Sequence, residues 1–394
     1  MAVDVTPAAP ERLAEVRLDR RELAGAVADV GVLVPIAAAL IIKNGLSPTA
    51  VLLPAGLLYL LVAAVYRLPV PVQPLKAFGA IAIAEGLGAD EIAAGALLMG
   101  VIFLGLGPTG LIDRAARVFP PAIIRGVQLT VGLLFLKVAW GLVHDPPTSF
   151  VDHTADPTTL VLLGLLVLAV TFAFRRRLVS LALVGAALVI AATRASGDLS
   201  FGPSAIELPQ LSSATFWTAL TVLVLPQLPL TFANSCVATS DAARKYFGEL
   251  ADRVRPGRLA TTLGAANIFA GAISGMPVCH GAGGMTAHHA FGARSAGAPL
   301  FMGTALVVLA LGLGAGLGVL LAGFPLPILA GMLAAAGLLH IGLLRDLTGA
   351  RDWTIALLVG LVGFQVNLVA GLALGLLVWW LPVVVRLHRP RSAA

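Results

Sequence analysis

Long, uninterrupted apolar runs dominate this chain and restrict it to folds that form in lipid. Hydrophobic residues make up 58% of the 394 residues and charged residues only 12%, and the mean hydropathy is +0.96. In hydrocarbon, only helices and closed barrels satisfy every backbone polar group. The runs are continuous rather than alternating, which is typical of helices. We therefore predict an all-α integral membrane protein.

Two of the apolar stretches are interrupted. A helix needs about 20 apolar residues to cross the bilayer. Stretches 69–87 and 275–292 are apolar but carry proline, glycine and polar residues where a continuous helix would not. We predict that they are discontinuous spans, the third and tenth of fourteen, which makes two halves of seven arranged as inverted repeats. The ordinary spans are expected at 22–42, 49–66, 92–107, 122–141, 158–174, 179–193, 216–239, 259–274, 299–322, 325–342, 353–370 and 371–387.

The distribution of basic residues sets the expected orientation. With the N-terminus inside, nearly all Lys and Arg fall on the cytoplasmic side, the exceptions being Lys43, Lys76, Lys137 and Arg194. We predict a cytoplasmic segment at 1–21, repeats at 22–194 and 195–387, and a cytoplasmic tail at 388–394. Segment 1–21 lacks the pattern of a cleaved signal peptide. The expected location is a prokaryotic plasma membrane. The net charge of +6 reflects topology rather than a nucleic-acid partner.

The first interrupted stretch predicts an anion site. Its prolines and β-branched valines at 69–72 favour an extended run, so a helix can begin only after Gln73 and Pro74. Pro74 suits the first helical turn because its missing donor would be unpaired there. Free amides in that turn, with roughly half a positive charge from the helix dipole, favour an anion.

The second interrupted stretch repeats the plan. Residues 276–280, including Cys279 and His280, are expected to be extended, followed by a glycine-rich turn at Gly281, Gly283 and Gly284 that allows close backbone approach. In inverted halves the two helix N-termini would face each other and favour a dianion. The alternative is that both stretches are ordinary proline kinks and glycine packing notches.

Two charged residues lie within spans, where an unpaired charge costs several kcal/mol. Lys76, expected about one turn into the half-helix, is interpreted as a counter-charge for substrate, against snorkelling to the surface. Asp29 is interpreted as a gating, proton-coupling or cation-pairing group, against a structural salt bridge to Lys76.

The eighth span offers neutral hydrogen-bonding groups. Pro226 and Pro229 are expected to break its helix and to present Gln227, Asn234 and Ser235 as further binding residues. For Asn234, a role in holding neighbouring helices together is an equal alternative.

The histidines do not predict a metal site. His280 is expected to face substrate, whereas His288 and His289 are expected at the cytoplasmic end of the half-helix. No Cys/His quartet or HExxH spacing accompanies them, and no Walker or dinucleotide-binding loop is present, so we expect neither metal nor cofactor.

Four stretches carry a family resemblance over essentially the whole chain. They are ELAGAVADVGVLVPI from Glu22, PVPVQPLKAFGAIAIAEG from Pro69, LPQLPLTFANS from Leu225 and MPVCHGAGGMTAHHAFGARS from Met276. With them the chain resembles the molybdate transporter family, a branch related to the sulfate permeases. The resemblance implies the seven-plus-seven fold of sulfate and uracil permeases, and transport by movement of a core domain against a gate domain.

The resemblance also implies which residues match the family motifs. They are Asp29, Gln73, Pro74, Lys76, Gln227, Asn234, Cys279, His280, Gly281, Gly283 and Gly284. The chain departs from the family in having Val32 and Leu33 in place of a Thr-Phe pair, and His288, His289 and Ala290 in place of Gln-Tyr-Arg. We expect no regulatory domain after Leu387.

Several functions are compatible with these features. The expected function is secondary transport of a tetrahedral oxyanion, molybdate or sulfate, with proton or cation coupling and a homodimer as further expectations. A nucleobase permease of the same fold would be expected to carry a carboxylate in the eighth span. A passive anion channel would use the same dipoles without a coupling residue. A membrane-embedded enzyme would rest only on Asp29 and the histidines, so we predict no enzymatic activity.

Overall fold

The computed structural model describes residues 16–112, 114, 118–144, 146, 155–173, 179–195 and 200–387. The expected segments 1–21 and 388–394 lie largely or wholly outside these residues. Regular structure in the described part is almost entirely helical. The helices are α1 (Arg20–Ala26), α2 (Val30–Asn44), α3 (Pro48–Tyr66), α4 (Lys76–Glu85), α5 (Ala89–Leu106), α6 (Pro121–His144), α7 (Pro157–Ala173), α8 (Val179–Arg194), α9 (Ser213–Ala251), α10 (Pro256–Ala272), α11 (Ala282–Phe291), α12 (Gly297–Gly312), α13 (Gly314–Ala322), α14 (Leu326–Gly342), α15 (Ala350–Gln365) and α16 (Leu368–Leu387).

The helix lengths and compositions are those of a membrane protein. In the described part, α3, α5, α6, α9 and α14 are each long and apolar enough to cross a bilayer, and the bent pairs α1–α2 and α12–α13 each qualify together. The all-α membrane fold predicted from the apolar runs is therefore confirmed.

The helices pack into two bundles. In the first bundle, α3 packs along α12 and α5 along α10; in the second, α6 packs along α14 and α15, and α7 along α14. Small residues bring the helices of the first bundle close: a Cβ added at Gly303 of α12 would lie 2.9 Å from the carbonyl oxygen of Gly56 in α3. The two half-helices α4 and α11 follow a pair of short strands.

The predicted span at 299–322 is not one straight helix. It divides into α12 and α13, which meet at an angle of 87°. Glycines flank the break at Leu313, and hydrogen bonds satisfy the freed backbone: Gly202 N donates to Gly312 O at 2.8 Å, and Thr49 Oγ1 donates to Ala310 O at 2.8 Å. The continuous-helix prediction was wrong here because apolarity does not report which backbone groups a neighbouring loop will satisfy.

The predicted break at Pro226 and Pro229 was also wrong. Helix α9 runs without interruption through both prolines. Two wider π-helical stretches, Ala219–Val224 and Thr231–Ala238, flank them and change the hydrogen-bond register, so the missing proline donors do not end the helix.

We predict that Thr49→Val destabilises the protein while Thr354→Val does not. Thr49 is fully buried, donates to Ala310 O and accepts from Ser204 N at 2.8 Å, so valine removes the partner of a buried carbonyl and of a part-buried amide, at a cost of about 1 to 3 kcal/mol. Exposed Thr354 donates to Ala350 O in its own helix and has no other side-chain hydrogen bond to the described residues. Thermal unfolding in detergent should show a lower Tm for Thr49→Val alone; equal Tm values would contradict this reading of the break.

Candidate functional site

A short antiparallel strand pair brings the two interrupted segments together. Strand β1 (Gln73–Pro74) pairs with β2 (Val278–Cys279), Gln73 opposite Cys279 and Pro74 opposite Val278. Leu75 N adds a hydrogen bond to Pro277 O at 3.1 Å. Helix α4 begins two residues after β1 and α11 three residues after β2, so both N-termini lie beside the pair. Both segments are interrupted and adjacent, as predicted.

The helix start in the first segment differs from the prediction. Pro74 lies in β1 rather than in the first helical turn, because its neighbours Gln73 and Leu75 pair with the second segment. Lys76 is therefore the first residue of α4 and not a residue one turn inside it. A cation at a helix N-terminus opposes the helix dipole by about 0.3 to 1 kcal/mol. It also concentrates positive charge there.

In the second segment the glycine-rich turn is largely helical. Gly281 precedes α11, whereas Gly283 and Gly284 belong to its first turn. The segment is fastened by Asn267, whose amide donates to Val278 O and accepts from Val278 N, both at 2.9 Å. Sequence reasoning missed Asn267, although a polar residue inside a span was the available signal.

His280 does not face the site, contrary to the prediction. It is fully buried, with Nδ1 2.9 Å from Pro71 O and Nε2 3.2 Å from Thr262 Oγ1. These bonds tie β2 to the extended run before β1 and to α10. Successive residues of an extended chain point to opposite sides, so Cys279 faces the site and His280 faces away.

Asp29 is the centre of a buried hydrogen-bond network. It lies at the bend between α1 and α2. Its Oδ1 accepts from Gln73 Nε2 at 2.5 Å, and its Oδ2 accepts from Tyr59 OH at 2.7 Å and contacts His288 Nε2 at 2.8 Å. Lys76 Nζ donates to Gln73 Oε1 at 2.6 Å. The direct Asp29–Lys76 salt bridge held as an alternative is replaced by a relay through Gln73.

Tyr59 and His288 were missed as members of this network. His288 lies in the last turn of α11, as expected for the end of the half-helix. Its side chain is 0% exposed, however, and it contacts Asp29 at the bend between α1 and α2. No motif marks this contact, because it joins residues that are distant in sequence.

Gln227 of α9 caps the first half-helix. Its Oε1 accepts from Phe78 N at 3.0 Å, and its Nε2 donates to Thr231 Oγ1 at 3.0 Å. One of the unpaired amides in the first turn of α4 is thereby satisfied. Neither α4 nor α11 has a side-chain cap from its own N-cap residue, so other first-turn amides of both helices can still donate a hydrogen bond to a ligand.

A cavity of about 760 Å³ opens at this junction. It is lined by both half-helix N-termini, by the π-helical part of α9 and by α6 and α14 of the second bundle. The predicted site residues that line it are Asp29, Gln73, Lys76, Gln227, Asn234, Ser235, Cys279, Gly283 and Gly284. Pro74, His280 and Gly281 do not line it, although Gly281 is close to the side chains of Gln73 and Lys76. Further along are Arg125, Gln128 and His340, none of which the sequence singled out.

The chemistry of the cavity is that of anion binding. Lys76, the first-turn amides of α4 and α11, Asn234 and Ser235 can all donate hydrogen bonds. Among the described residues there is no cluster of three or more His, Cys, Asp or Glu side chains able to hold a metal. Described side chains here can bind and release an anion without a prosthetic group.

Solved structures share this fold. The transmembrane domain of a cyanobacterium bicarbonate transporter, BicA, superposes with a TM-score of 0.67 at 18% identity, covering 91% of this chain and 98% of that one. The murine solute carrier 26 family member A9 anion transporter, in the inward-facing state, gives 0.69 at 16% identity, covering 95% and 70%. The chain is thus a membrane protein with the fold of these anion transporters.

Sequence comparison narrows the class to a family. The family model described as "Molybdate transporter of MFS superfamily" matches residues 21–135 and 219–339. Molybdate transporter 1 of Arabidopsis thaliana is 30% identical over 90% of this chain and 86% of that protein. The chain belongs to the molybdate transporter family, whose members are transporters and not enzymes. The family predicted from the four sequence stretches is confirmed.

We predict that Gly284→Ala disrupts the site while Gly105→Ala, at an exposed glycine of α5, leaves it intact. An added Cβ at Gly284 would lie 2.7 Å from Gln73 Nε2 and 2.8 Å from Asp29 Oδ1, so the shortest bond of the network must open. A Cβ at Gly105 meets nothing within 4 Å among the described residues. Molybdate binding by purified protein should fall at least about tenfold for Gly284→Ala, which is about 1.4 kcal/mol. Comparable affinities in both variants would contradict the network.

Proposed function

We propose that this protein is a secondary transporter of a tetrahedral oxyanion, with molybdate as substrate, and that the anion binds between the N-termini of α4 and α11. The observation that carries the proposal is the β1–β2 pair, which holds both N-termini and Lys76 around one cavity. Two half-helix dipoles supply about one unit of favourable partial charge. Lys76 offsets the charge of Asp29, so a dianion finds a net positive pocket.

In this proposal the residues divide into ligands and supports. Lys76, Asn234, Ser235 and the amides of Gly283 and Gly284 contact the oxyanion. Gln73 holds Lys76, and Gln227 holds the start of α4 through Phe78 N. Asp29 acts as the gating group, because its carboxylate links movement of the α1–α2 bend to both half-helices.

We also propose fourteen spans as inverted repeats of seven, at 22–194 and 195–387, with both termini cytoplasmic. The packing supports exchange symmetry: α3 packs along α12, and their counterparts in the other half, α10 and α5, pack along each other. The cavity extends to Arg125 and Leu343 in the second bundle. Movement of the first bundle and half-helices against the second bundle would alternate access. A prokaryotic origin stays a prediction, because the Arabidopsis relative does not test it.

We predict that Lys76→Ala and Gln73→Ala abolish molybdate uptake. The first removes the positive charge that faces the substrate. The second removes the hydrogen bonds that Gln73 makes to both Asp29 and Lys76. A loss of about 100-fold or more, about 2.7 kcal/mol, is expected for each in proteoliposomes. Lys245→Ala, at an exposed lysine of α9, is the matched control and should retain full uptake. Unchanged uptake in both site variants, with folded protein present, would refute the placement of the site.

Substrate choice is tested by competition. Tungstate should compete with molybdate nearly equally, because both are tetrahedral dianions of similar size, whereas the smaller sulfate should compete less well. Saturable uptake driven by a proton gradient in liposomes would support a coupled transporter. Unsaturable flux would favour the anion channel instead, and failure of all three anions to be taken up would sink the oxyanion proposal.

A further inference from the structure

His340 of α14 is a buried histidine that belongs to none of the motifs described above. It is 8% exposed and meets the edge of Phe135, with ring centroids 5.9 Å apart. It lines the same cavity as Lys76 but comes from the second bundle, whereas Lys76 lies at the half-helix junction. An anion held between them would contact both moving parts of the proposed transporter.

The hydrogen bonding of His340 fixes its tautomer. Nδ1 lies 2.8 Å from Ala336 O, and a carbonyl oxygen only accepts, so Nδ1 carries a hydrogen. In the neutral ring Nε2 is then an unprotonated acceptor. Nε2 has no hydrogen-bond partner among the described residues, and it is not one of the enclosed polar atoms that lack partners. Because His340 lines the cavity, Nε2 is the ring nitrogen that is available to a ligand there.

An acceptor at this position conflicts with an oxyanion, whose oxygens also accept. Protonation of Nε2 turns the ring into a donor and removes the conflict. Lys76 lines the same cavity, so a proton on Nε2 would place a second positive charge there. A dianion placed between Lys76 and His340 offsets the repulsion between the two positive charges, because it attracts both.

We propose that His340 binds the oxyanion directly and takes up one proton from solution with each oxyanion, so that a proton accompanies the substrate. This inference rests on the proposed function. The proton comes from water on the side where the cavity is open, enters Nε2, and leaves when the anion is released.

The described carboxylates near His340 are already paired, so the substrate is the group that would stabilise a proton on its ring. Asp29, the carboxylate that lines the cavity, already has its oxygens in contact with Gln73, Tyr59 and His288. Asp346, in the turn after α14, pairs with Arg125. The described part of α7 contains no ionisable residue. The other charged groups on elements packed against α14 or flanking it are Lys43 of α2, Lys137 of α6, Arg194 of α8 and Arg345, all cationic.

Proton uptake can be counted directly. Titration calorimetry of the purified full chain with sodium molybdate, in buffers of different ionisation enthalpy, gives the number of protons bound per anion. About one proton is expected near pH 7, and the Kd should rise by up to about tenfold per pH unit on the alkaline side, since the bound state holds the extra proton. Molybdate stays a dianion over this range. Zero uptake with measurable binding would overturn the role of His340 while leaving the proposed function standing.

Three variants assign the proton. His340→Gln keeps a donor of fixed protonation, so its proton uptake should fall to near zero and its Kd should no longer depend on pH. His144→Gln, at an exposed histidine of α6, should match the wild type. Uptake lost in His288→Gln but retained in His340→Gln would overturn the inference and place the proton at Asp29–His288. If wild-type protein binds neither molybdate nor sulfate, the proposed function fails and takes this inference with it.

Discussion

The structure depends on hydrogen-bond partners for the extended backbone of two interrupted segments inside a membrane protein. Two residues from each half form the β1–β2 pair, and few ladder bonds are available to so short a pair. Neighbouring side chains supply the rest: Asn267 clamps Val278, and Gln227 caps the first turn of α4 through Phe78 N. Non-helical backbone at this depth is tolerated only where protein or a water-filled cavity satisfies it. The cavity exists because the two helices begin here.

Charge at the junction follows from the same geometry. Lys76 stands at a helix N-terminus, where the dipole opposes it, and it is held there by Gln73, which is held in turn by Asp29. The hydrogen bonds of this buried network are stronger than they would be in water, because the local dielectric constant is low. Its short bonds fix the ammonium beside the first-turn amides of α4 and α11. In the proposed transporter, the oxyanion would therefore bind to a pocket whose side chains are already in place.

Helix α9 shows how a span can carry two prolines without breaking. The π-helical stretches on either side change the hydrogen-bond register, so the missing proline donors do not end the helix. Gln227, Asn234 and Ser235 of this helix line the cavity. The α12–α13 break has the opposite character: no proline marks it, and a loop containing Gly202 supplies the hydrogen bonds. In both places the path of the backbone was decided by partners outside the helix.

Apolar run length, proline position and glycine clustering determined, by themselves, the membrane class and the two interrupted segments, because these features act within a few neighbouring residues. The four family-like stretches indicated the family, and nine of the twelve predicted site residues line the cavity. Only the tertiary structure decided that Lys76 begins α4, that His280 faces away while His288 binds Asp29, and that Tyr59 and His340 reach the site region. Those facts depend on contacts between residues far apart in the chain. Local pattern has no access to such contacts, since they are fixed by how the helices pack.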